Sequence, residues 1–265
     1  KIADREEYHG IPYRTQHNDV GRAMKVKDRF EYALSVATER YNNAVVLTVT
    51  TDPKQHSGLS EALENISENK GRLMSWLSTE YQLGYRPENL SVLEFTDSGL
   101  PHYHIVLFGV SWVVSQDQLA AKWRDYGQGS VVDVRQAKNR HDGDTWLLHD
   151  DIQGRVSLSW YLGKQIRGLV DIAESDAADI RDRLEDGDLS GWKHALYWSS
   201  GRRYCSCSQS LKAPTEETTE SDSRSWVFVG VSEYNQIPAH VRQNMTFHDR
   251  PPPRSRSASS SGTTA

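Results

Sequence analysis

The fold of this chain is organised around residues 101–109, which read Pro101-His102-Tyr103-His104-Ile105-Val106-Leu107-Phe108-Gly109. Tyr103, Ile105, Val106 and Phe108 are β-branched or aromatic, which is typical of a short strand. Alternate side chains of a strand project to opposite faces, so His102 and His104 lie side by side while Tyr103 enters the opposite, apolar face. Two imidazoles arranged in this way are half of a metal site, although His-x-His pairs also occur as ordinary hydrogen-bonded surface residues.

Two strands are predicted here, over residues 90–96 and 102–110, and residues 97–101 connect them as a hairpin. A symmetric connection pairs Thr96 with His102 and places Glu94 opposite His104, so that all three candidate ligands share one face. The alternative for Glu94 is a structural salt bridge to an arginine or to protonated His104. As ligands, two nitrogens and one oxygen suit Mn²⁺, and Mg²⁺ can substitute when water or phosphate oxygens complete the shell.

The rest of the chain predicts an α+β domain with a mainly antiparallel sheet, in which helices cover one face and leave the other free for a ligand. The first helix is capped by Asn18 or Asp19 and runs to Tyr41. Further helices are predicted over residues 59–81, 116–126, 156–167, 171–186 and 192–199. Strands are predicted over residues 44–50, 130–135 and 204–208, and a polar loop over residues 139–151.

Composition divides the chain into segments. Residues 20–212 are expected to form the main domain, after an N-terminal segment over residues 1–19 that starts without methionine. Residues 213–225 are poor in apolar side chains and indicate a linker, residues 226–250 a small element with a strand and a helix, and residues 251–265 a disordered tail rich in Pro, Arg and Ser.

Charge and hydropathy bear on the compartment and on the partner. The formal net charge of −5 over 265 residues argues weakly against nucleic acid, whose phosphates attract clustered cations. Residues 193–212 nevertheless contain no carboxylate and combine aromatic side chains with Lys193, Arg202 and Arg203. They are candidates for a DNA-binding surface that includes Trp198; the alternative is a solvated basic face. No stretch of eighteen apolar residues exists, and the only two cysteines suit a reducing compartment, so we expect a cytoplasmic protein that spans no membrane.

A nucleophile is suggested by the helix over residues 156–167, where Tyr161 and Lys164 are three residues apart and share a face. A phenol needs help to attack at neutral pH, and a nearby ammonium or a metal-polarised phosphate provides it. Taken alone, however, a tyrosine beside a lysine at a helix boundary is more often packing combined with solubility.

Taken together, these motifs resemble those of HUH endonucleases, the rolling-circle replication initiators of small plasmids and viruses. The order is a strand ending in Leu47-Thr48-Val49-Thr50, then Leu93-Glu94-Phe95 before Pro101-His102-Tyr103-His104, then Tyr161-Leu162-Gly163-Lys164. The sequence is especially similar to initiators of haloarchaeal plasmids and viruses. The resemblance covers roughly residues 20–212. The three-motif order is specific, whereas each motif alone is not.

The resemblance implies a five-stranded, ferredoxin- or RRM-like antiparallel sheet with the metal site on its open face. It also implies metal ligands at His102, His104 and Glu94, a nucleophile at Tyr161 assisted by Lys164, and a structural motif that includes Thr48 and Thr50. The reaction would be transesterification on single-stranded or extruded origin DNA, giving a 5′-phosphotyrosyl enzyme and a 3′-hydroxyl primer. A host polymerase and a helicase would be its partners.

One departure from the family pattern concerns the second tyrosine that many members carry directly after the lysine. Gln165 stands at that position here, which puts a two-tyrosine cycle in doubt. The competing hypotheses are a single-tyrosine transposase or relaxase, an unrelated metallohydrolase, and a non-catalytic single-strand-binding domain.

Overall fold

A computed structural model describes residues 8–10, 14–79, 85–140, 145–150, 154–214, 233–243 and 245–247. Within these ranges the strands are β1 (Tyr8–Gly10), β2 (Asn43–Thr50), β3 (Asn89–Phe95), β4 (Pro101–Phe108), β5 (Val132–Arg140), β6 (Thr145–Asp150), β7 (Gly154–Ser157), β8 (Cys205–Cys207) and β9 (Met245–Phe247). The α-helices are α1 (Val20–Arg40), α2 (Leu59–Thr79), α3 (Gln116–Asp125), α4 (Leu158–Glu174), α5 (Ala177–Glu185), α6 (Ser190–Ser200) and α7 (Ala239–Gln243).

The chain divides into two compact units, of which the smaller comprises Lys1–Arg14 and Pro214–Ala265. In this unit β1 and β9 pair in parallel, and α7 lies within the helix predicted for the small C-terminal element. Most of the predicted linker, the whole of the predicted disordered tail and residues 226–232 of the predicted C-terminal element lie outside the described residues.

The larger unit, Thr15–Ala213, is an α+β domain, as the sequence predicts, and is built on a seven-stranded sheet. The strand order is β7-β6-β5-β2-β4-β3-β8, and every neighbouring pair is antiparallel. The five strands expected from the sequence, β5-β2-β4-β3-β8, are consecutive in this order. The sheet is nevertheless larger than the five strands that the resemblance implies, because β6 and β7 extend it beyond β5.

The prediction of a polar loop over residues 139–151 was wrong for its described part. β5 runs to Arg140, and β6 occupies Thr145–Asp150. Trp146 and Leu148 alternate along β6 and are both buried, and the indole Nε1–H of Trp146 donates to Oγ1 of Thr38 in α1 at 3.0 Å. The period-two alternation was therefore visible in the sequence, but the surrounding aspartates outweighed it in the prediction.

Helix ends follow capping side chains. Asp19 caps α1 by accepting from the backbone N–H of Arg22 at 2.9 Å, which confirms one of the two predicted caps. α4 is longer than predicted, and the acidic helix predicted to begin at residue 171 begins only at Ala177. Asp176 determines this start because its carboxylate accepts from the N–H groups of Ala178 and Asp179.

Helices cover both faces of the sheet, contrary to the expectation of one open face. On one face, Nζ of Lys70 in α2 lies 4.5 Å from the ring centroid of Tyr103. On the opposite face, Phe108 stacks on Tyr41, which follows α1, with ring centroids 6.1 Å apart. α4 packs with α1 on this second face, where a Cβ added to Gly163 would lie 3.3 Å from the Phe30 ring.

The physical reason is that the central strands are apolar on both sides. Val45, Val46 and Leu47 are consecutive and all buried, as are Ile105 to Phe108. A continuous apolar stretch of this kind is typical of a strand that is covered on both faces, whereas a one-sided sheet alternates apolar with polar residues. The histidine end of β4 is therefore a polar patch on a face that is otherwise packed by α1 and α4.

Candidate metal centre and adjacent tyrosine

The hairpin that positions the candidate ligands has a register different from the predicted one. Glu94 pairs with His102, and Val92 pairs with His104, because the five-residue connection begins at Thr96 rather than at Asp97. The backbone N–H of Thr96 donates to the carbonyl of Leu100 at 3.0 Å, which closes this turn. The difference is an even number of residues, so the predicted sharing of one face by Glu94, His102 and His104 is confirmed.

The three side chains converge on one point. Oε2 of Glu94 lies 3.3 Å from Nε2 of His102 and 3.3 Å from Nε2 of His104. The two imidazole rings are nearly perpendicular, at 87°, with centroids 4.9 Å apart. One ligand atom from each residue lies within 4.8 Å of the others. Among the described residues, this is the group of three His, Cys, Asp or Glu side chains that could hold a metal ion.

These residues fit a divalent metal ion. Ligand atoms about 2.1 Å from one ion lie roughly 3.0–3.4 Å from each other, which is the separation of the carboxylate oxygen from each imidazole nitrogen. Two nitrogens and one oxygen form a donor set of intermediate hardness that leaves coordination positions open. In the chain without an ion, the same atoms form the salt bridge that is the alternative interpretation of Glu94.

Glu94 is held in its charged form. Its burial favours the neutral acid, but hydrogen bonds from His102 and His104 and the charges of the two rings outweigh that effect and lower the pKa of Glu94 to about 2. The side chains of His102 and Glu94 are 13% and 14% exposed, whereas that of His104 is 6% exposed. The site is therefore open to solvent on the His102 and Glu94 side.

A second layer of contacts orients His104. Thr48 of β2 is the cross-strand neighbour of His104, and its Oγ1 lies 2.9 Å from Nδ1 of that ring. With Nε2 directed at the ion position, Nδ1–H donates to this hydroxyl, which sets the tautomer of a ligating histidine. Thr50 does not orient a ligand in this way, because its hydroxyl donates to the carbonyl of Val131 at 2.6 Å. Nδ1 of His102 is buried and meets no hydrogen-bond partner within the described residues.

Tyr161 of α4 lies against the same group. Its hydroxyl is 3.5 Å from Nδ1 of His104, and the two rings meet edge to face with centroids 4.9 Å apart. The helix that sequence reasoning placed away from the metal face therefore lies over it and brings the predicted nucleophile to the predicted ligands.

The electrostatic surroundings of Tyr161 hold the phenol in its neutral form. Burial raises the pKa of Tyr161, and the charges of Glu94 and Asp133 raise it further, while the hydroxyl of Thr48 and the charge of Arg135 lower it. Arg135 forms an ion pair with Asp133 on β5. Neither residue was among the predicted site residues. Asp133 is the cross-strand neighbour of Thr48, but this position could be inferred only once the order of the strands in the sheet was known.

The family model described as "Domain of unknown function (DUF8148) C-terminal domain" matches residues 21–83 and 82–155. The chain belongs to this family. The three candidate ligands of this DUF8148 C-terminal domain lie in the second matched segment, and Tyr161 lies beyond it.

A curated relative is "Uncharacterized protein 1" of Halorubrum pleomorphic virus 1, which is 28% identical over 250 residues. The match covers 89% of the chain and 49% of the relative, so the chain spans about half the length of the curated relative that it matches. No solved structure matches the chain.

The remaining predicted site residues of the DUF8148 domain are distributed over several places. Lys164 is exposed, and its charge acts on Asp97. Nζ of Lys193 lies 2.6 Å from the Asp97 carboxylate, so Lys193 forms an ion pair within the protein. Gln165, at the place of a second tyrosine, is buried.

The aromatic and arginine candidates lie in two further places. Trp198 is 56% exposed, and its ring centroid is 6.4 Å from that of His17. Arg202 and Arg203 line a cavity together with Tyr103, on the face opposite to His104. Among the residues that the structure describes, no helix combines the length and the apolar character needed to cross a bilayer.

Proposed function

We propose that this DUF8148 domain is a metal-dependent DNA nickase and strand transferase of the HUH class that initiates rolling-circle replication. The observation that carries the proposal is the position of the Tyr161 hydroxyl, 3.5 Å from an imidazole whose other nitrogen points at the Glu94 carboxylate. A nucleophile beside two histidines and a carboxylate is the arrangement that metal-assisted phosphoryl transfer requires.

In the proposed reaction Glu94, His102 and His104 hold a divalent ion, Mn²⁺ or Mg²⁺. When bound, the ion supplies positive charge that polarises a scissile phosphodiester and opposes the carboxylate charge that raises the pKa of Tyr161. The Tyr161 oxygen attacks phosphorus and loses its proton. The bond from phosphorus to the 3′ oxygen breaks, and the leaving oxygen takes up a proton as a 3′-hydroxyl. The 5′ side stays attached as a phosphotyrosyl ester.

The rest of the chain's chemistry supports this reaction in two ways. Thr48 holds the His104 ring in one tautomer, and the positive charge of Arg135 lowers the pKa of Tyr161. The family fold implied by the resemblance would correspond to the five consecutive strands β5-β2-β4-β3-β8, with β6 and β7 as an addition. Because Gln165 is buried where a second tyrosine would stand, the proposed cycle uses Tyr161 alone in each chain.

The partners belong to the same proposal. The substrate is single-stranded or extruded origin DNA, a host polymerase extends the 3′-hydroxyl, a helicase unwinds the duplex, and the reaction takes place in the cytoplasm of the host. The viral source of the curated relative is compatible with an element that replicates its own DNA.

The decisive experiment is incubation of the protein with a pool of labelled single-stranded oligonucleotides and Mn²⁺, followed by a denaturing protein gel. Wild type should form a DNA-linked band, and Tyr161→Phe should form none. Tyr32→Phe is the matched control, because it removes an exposed phenol from α1, a helix on the same face of the sheet.

The other outcomes separate the competing hypotheses. Cleavage that releases a free 5′-phosphate without a DNA-linked band would identify an unrelated metallohydrolase. DNA binding without cleavage would identify a single-strand-binding module, which the exposed Trp160 and Trp198 side chains favour as the second candidate. A single-tyrosine transposase or relaxase would form the same DNA-linked band and would differ in which oligonucleotides of the pool it cleaves.

A further inference from the structure

A second polar site lies on the sheet face opposite to the candidate metal centre. It is a cavity of about 320 Å³ between β3, β4, β8 and α2, and its lining includes Ser67, Ser91, Tyr103, Arg202 and Arg203. Tyr103 and Ser91 project to the face opposite to His104, because they alternate with the ligand-bearing positions of their strands. The cavity is therefore separated from the triad by the thickness of the sheet.

The cavity is basic in a protein that is acidic overall. Arg202 and Arg203 are both lining residues, and none of the described lining residues is Asp or Glu. Neither Arg202 nor Arg203 forms an ion pair with a carboxylate within the described ranges. The formal net charge of the chain is −5, so two neighbouring arginines away from carboxylates are a local exception. Guanidinium groups present paired N–H donors that match the oxygens of a phosphate group.

A third cation borders the same cavity. Nζ of Lys70 lies 3.4 Å from Oγ of Ser206, another lining residue, and 4.5 Å from the Tyr103 ring centroid. Burial lowers the pKa of the Lys70 ammonium, and the charge of Arg86 lowers it further. The ammonium is thus placed among cations and hydroxyls, where an anion would stabilise its charged form.

The floor of the cavity carries a hydroxyl without a partner. Ser91 is 1% exposed, and its Oγ meets no hydrogen-bond partner in the part of the chain that the structure describes. A buried hydroxyl that makes no hydrogen bond costs free energy, and such groups are rare unless a ligand or water satisfies them. Ser91 lies between Ser206 of β8 and Ile105 of β4 in the sheet, with its side chain directed into the cavity.

From the two arginines, Lys70 and the unsatisfied Ser91 hydroxyl, we propose that this cavity binds a phosphate group. The residues that line or border the cavity carry guanidinium, ammonium and hydroxyl groups, which are hydrogen-bond donors and suit an oxyanion that accepts several hydrogen bonds. The phosphate belongs either to a nucleic-acid backbone or to a free nucleotide. The site does not depend on Tyr161 or on the metal ion.

The test measures binding in EDTA, so that no metal contributes. Isothermal titration calorimetry would follow inorganic phosphate, a 5′-mononucleotide and a single-stranded oligonucleotide without a terminal phosphate, each titrated into the full chain. Two variants report on the cavity: Ser91→Ala, and Arg202→Gln combined with Arg203→Gln. Arg22→Gln is the matched control, because Arg22 is exposed on α1, on the other face of the sheet.

The expected result is that inorganic phosphate binds to wild type and to Arg22→Gln and that both cavity variants bind it at least about tenfold more weakly. Ser91→Ala should keep or slightly raise the melting temperature of wild type, since it removes a buried hydroxyl that makes no hydrogen bond among the described residues. Stronger binding of the mononucleotide than of the oligonucleotide identifies a free nucleotide as the source, and the reverse order identifies a nucleic-acid backbone. The proposal is overturned if wild type binds no phosphate, or if the cavity variants bind it as tightly as wild type does.

This test is independent of the proposed nickase activity. Phosphate binding in EDTA without any DNA-linked band in Mn²⁺ would leave the cavity site in place and remove the nickase. A DNA-linked band without phosphate binding in EDTA would leave the nickase in place and remove the cavity site.

Discussion

Oγ1 of Thr48 lies 2.9 Å from Nδ1 of His104, while Nε2 of the same ring lies 3.3 Å from the Glu94 carboxylate. The ring is thus held between a hydroxyl on one side and the candidate ion position on the other. A contact of this kind fixes the orientation of a ligating histidine before the ion arrives, so it should contribute to metal affinity although it does not touch the ion.

Replacing Thr48 by valine should therefore weaken Mn²⁺ binding by about 10- to 100-fold. Isothermal titration calorimetry would measure the Mn²⁺ affinity of wild type and of the variant. Thr50→Val is the control, because its hydroxyl bonds to the Val131 carbonyl rather than to an imidazole, and it should keep the affinity of wild type. Equal loss in the two variants would show that β2 is generally disturbed and that Thr48 has no specific role.

Mn²⁺ should stabilise the folded chain, because the three ligands are brought together only by folding. At a hundred times the dissociation constant the gain is about 2.7 kcal/mol, read from urea unfolding with and without the ion. Glu94→Gln should abolish the gain, and Glu64→Gln, which changes an exposed glutamate of α2, should retain it. If Mn²⁺ stabilises nothing, Glu94 is a structural salt-bridge residue.

His194 predicts a loss of stability in weak acid. Burial lowers the pKa of this imidazole to about 4, with the His17 charge lowering it further and the Asp188 charge raising it, and its Nδ1 is 2.6 Å from the Tyr204 hydroxyl. The folded-state pKa is below that of the unfolded chain. The unfolded imidazole therefore takes up a proton first, and stability that is complete above about pH 6.5 is lost as the pH falls towards 4.

The expected loss at His194 is about 2 kcal/mol between pH 7 and pH 5, from urea unfolding at the two pH values. His194→Gln should reduce this difference, whatever its effect on stability at pH 7. An unchanged difference in the variant would assign the acid sensitivity to other groups.

Gly99 in the β3–β4 turn combines two constraints. Its φ is +80°, and a Cβ there would lie 2.5 Å from the Trp192 ring of α6. Gly99→Ala should destabilise the fold by about 1–2 kcal/mol for the left-handed backbone, plus the cost of the clash. Gly187→Ala isolates the first part, since Gly187 has φ +82° and nothing within 4 Å of an added Cβ. Thermal unfolding of both variants measures the difference; equal losses would mean that Trp192 moves aside freely.

Trp160 precedes the candidate nucleophile on α4 and is 61% exposed. If Tyr161 is the nucleophile of the proposed nickase, an exposed indole beside it is suited to stacking on a base, which is worth about 1–3 kcal/mol per base. Trp160→Ala should weaken the binding of a labelled single-stranded oligonucleotide accordingly, as measured by fluorescence anisotropy. Trp112→Ala, which changes another exposed indole, should bind like wild type, and the same loss in both variants would count against a specific role for Trp160.

The local chemistry of the site could be predicted from the sequence because it depends on strand periodicity. Side chains two apart on a strand share a face, so His102 and His104 had to lie together, and any hairpin register that differs by an even number of residues keeps Glu94 beside them. The predicted pairing of Thr96 with His102 was wrong, because His102 pairs with Glu94, two residues away from Thr96. The predicted grouping of these three side chains was therefore confirmed, although the predicted pairing between the strands was not.

Tertiary structure decided what touches this set. Local periodicity carries no information about which helix packs on which face, so the position of Tyr161 against His104, the exposure of Lys164 and the charges of Asp133 and Arg135 appear only in the folded chain. The folded chain likewise shows that Lys193 forms an ion pair with Asp97 and that Arg202 and Arg203 line a cavity on the opposite face. Strand alternation determined which side chains share a face, whereas the burial of two apolar faces under separate helices decided what lies over them.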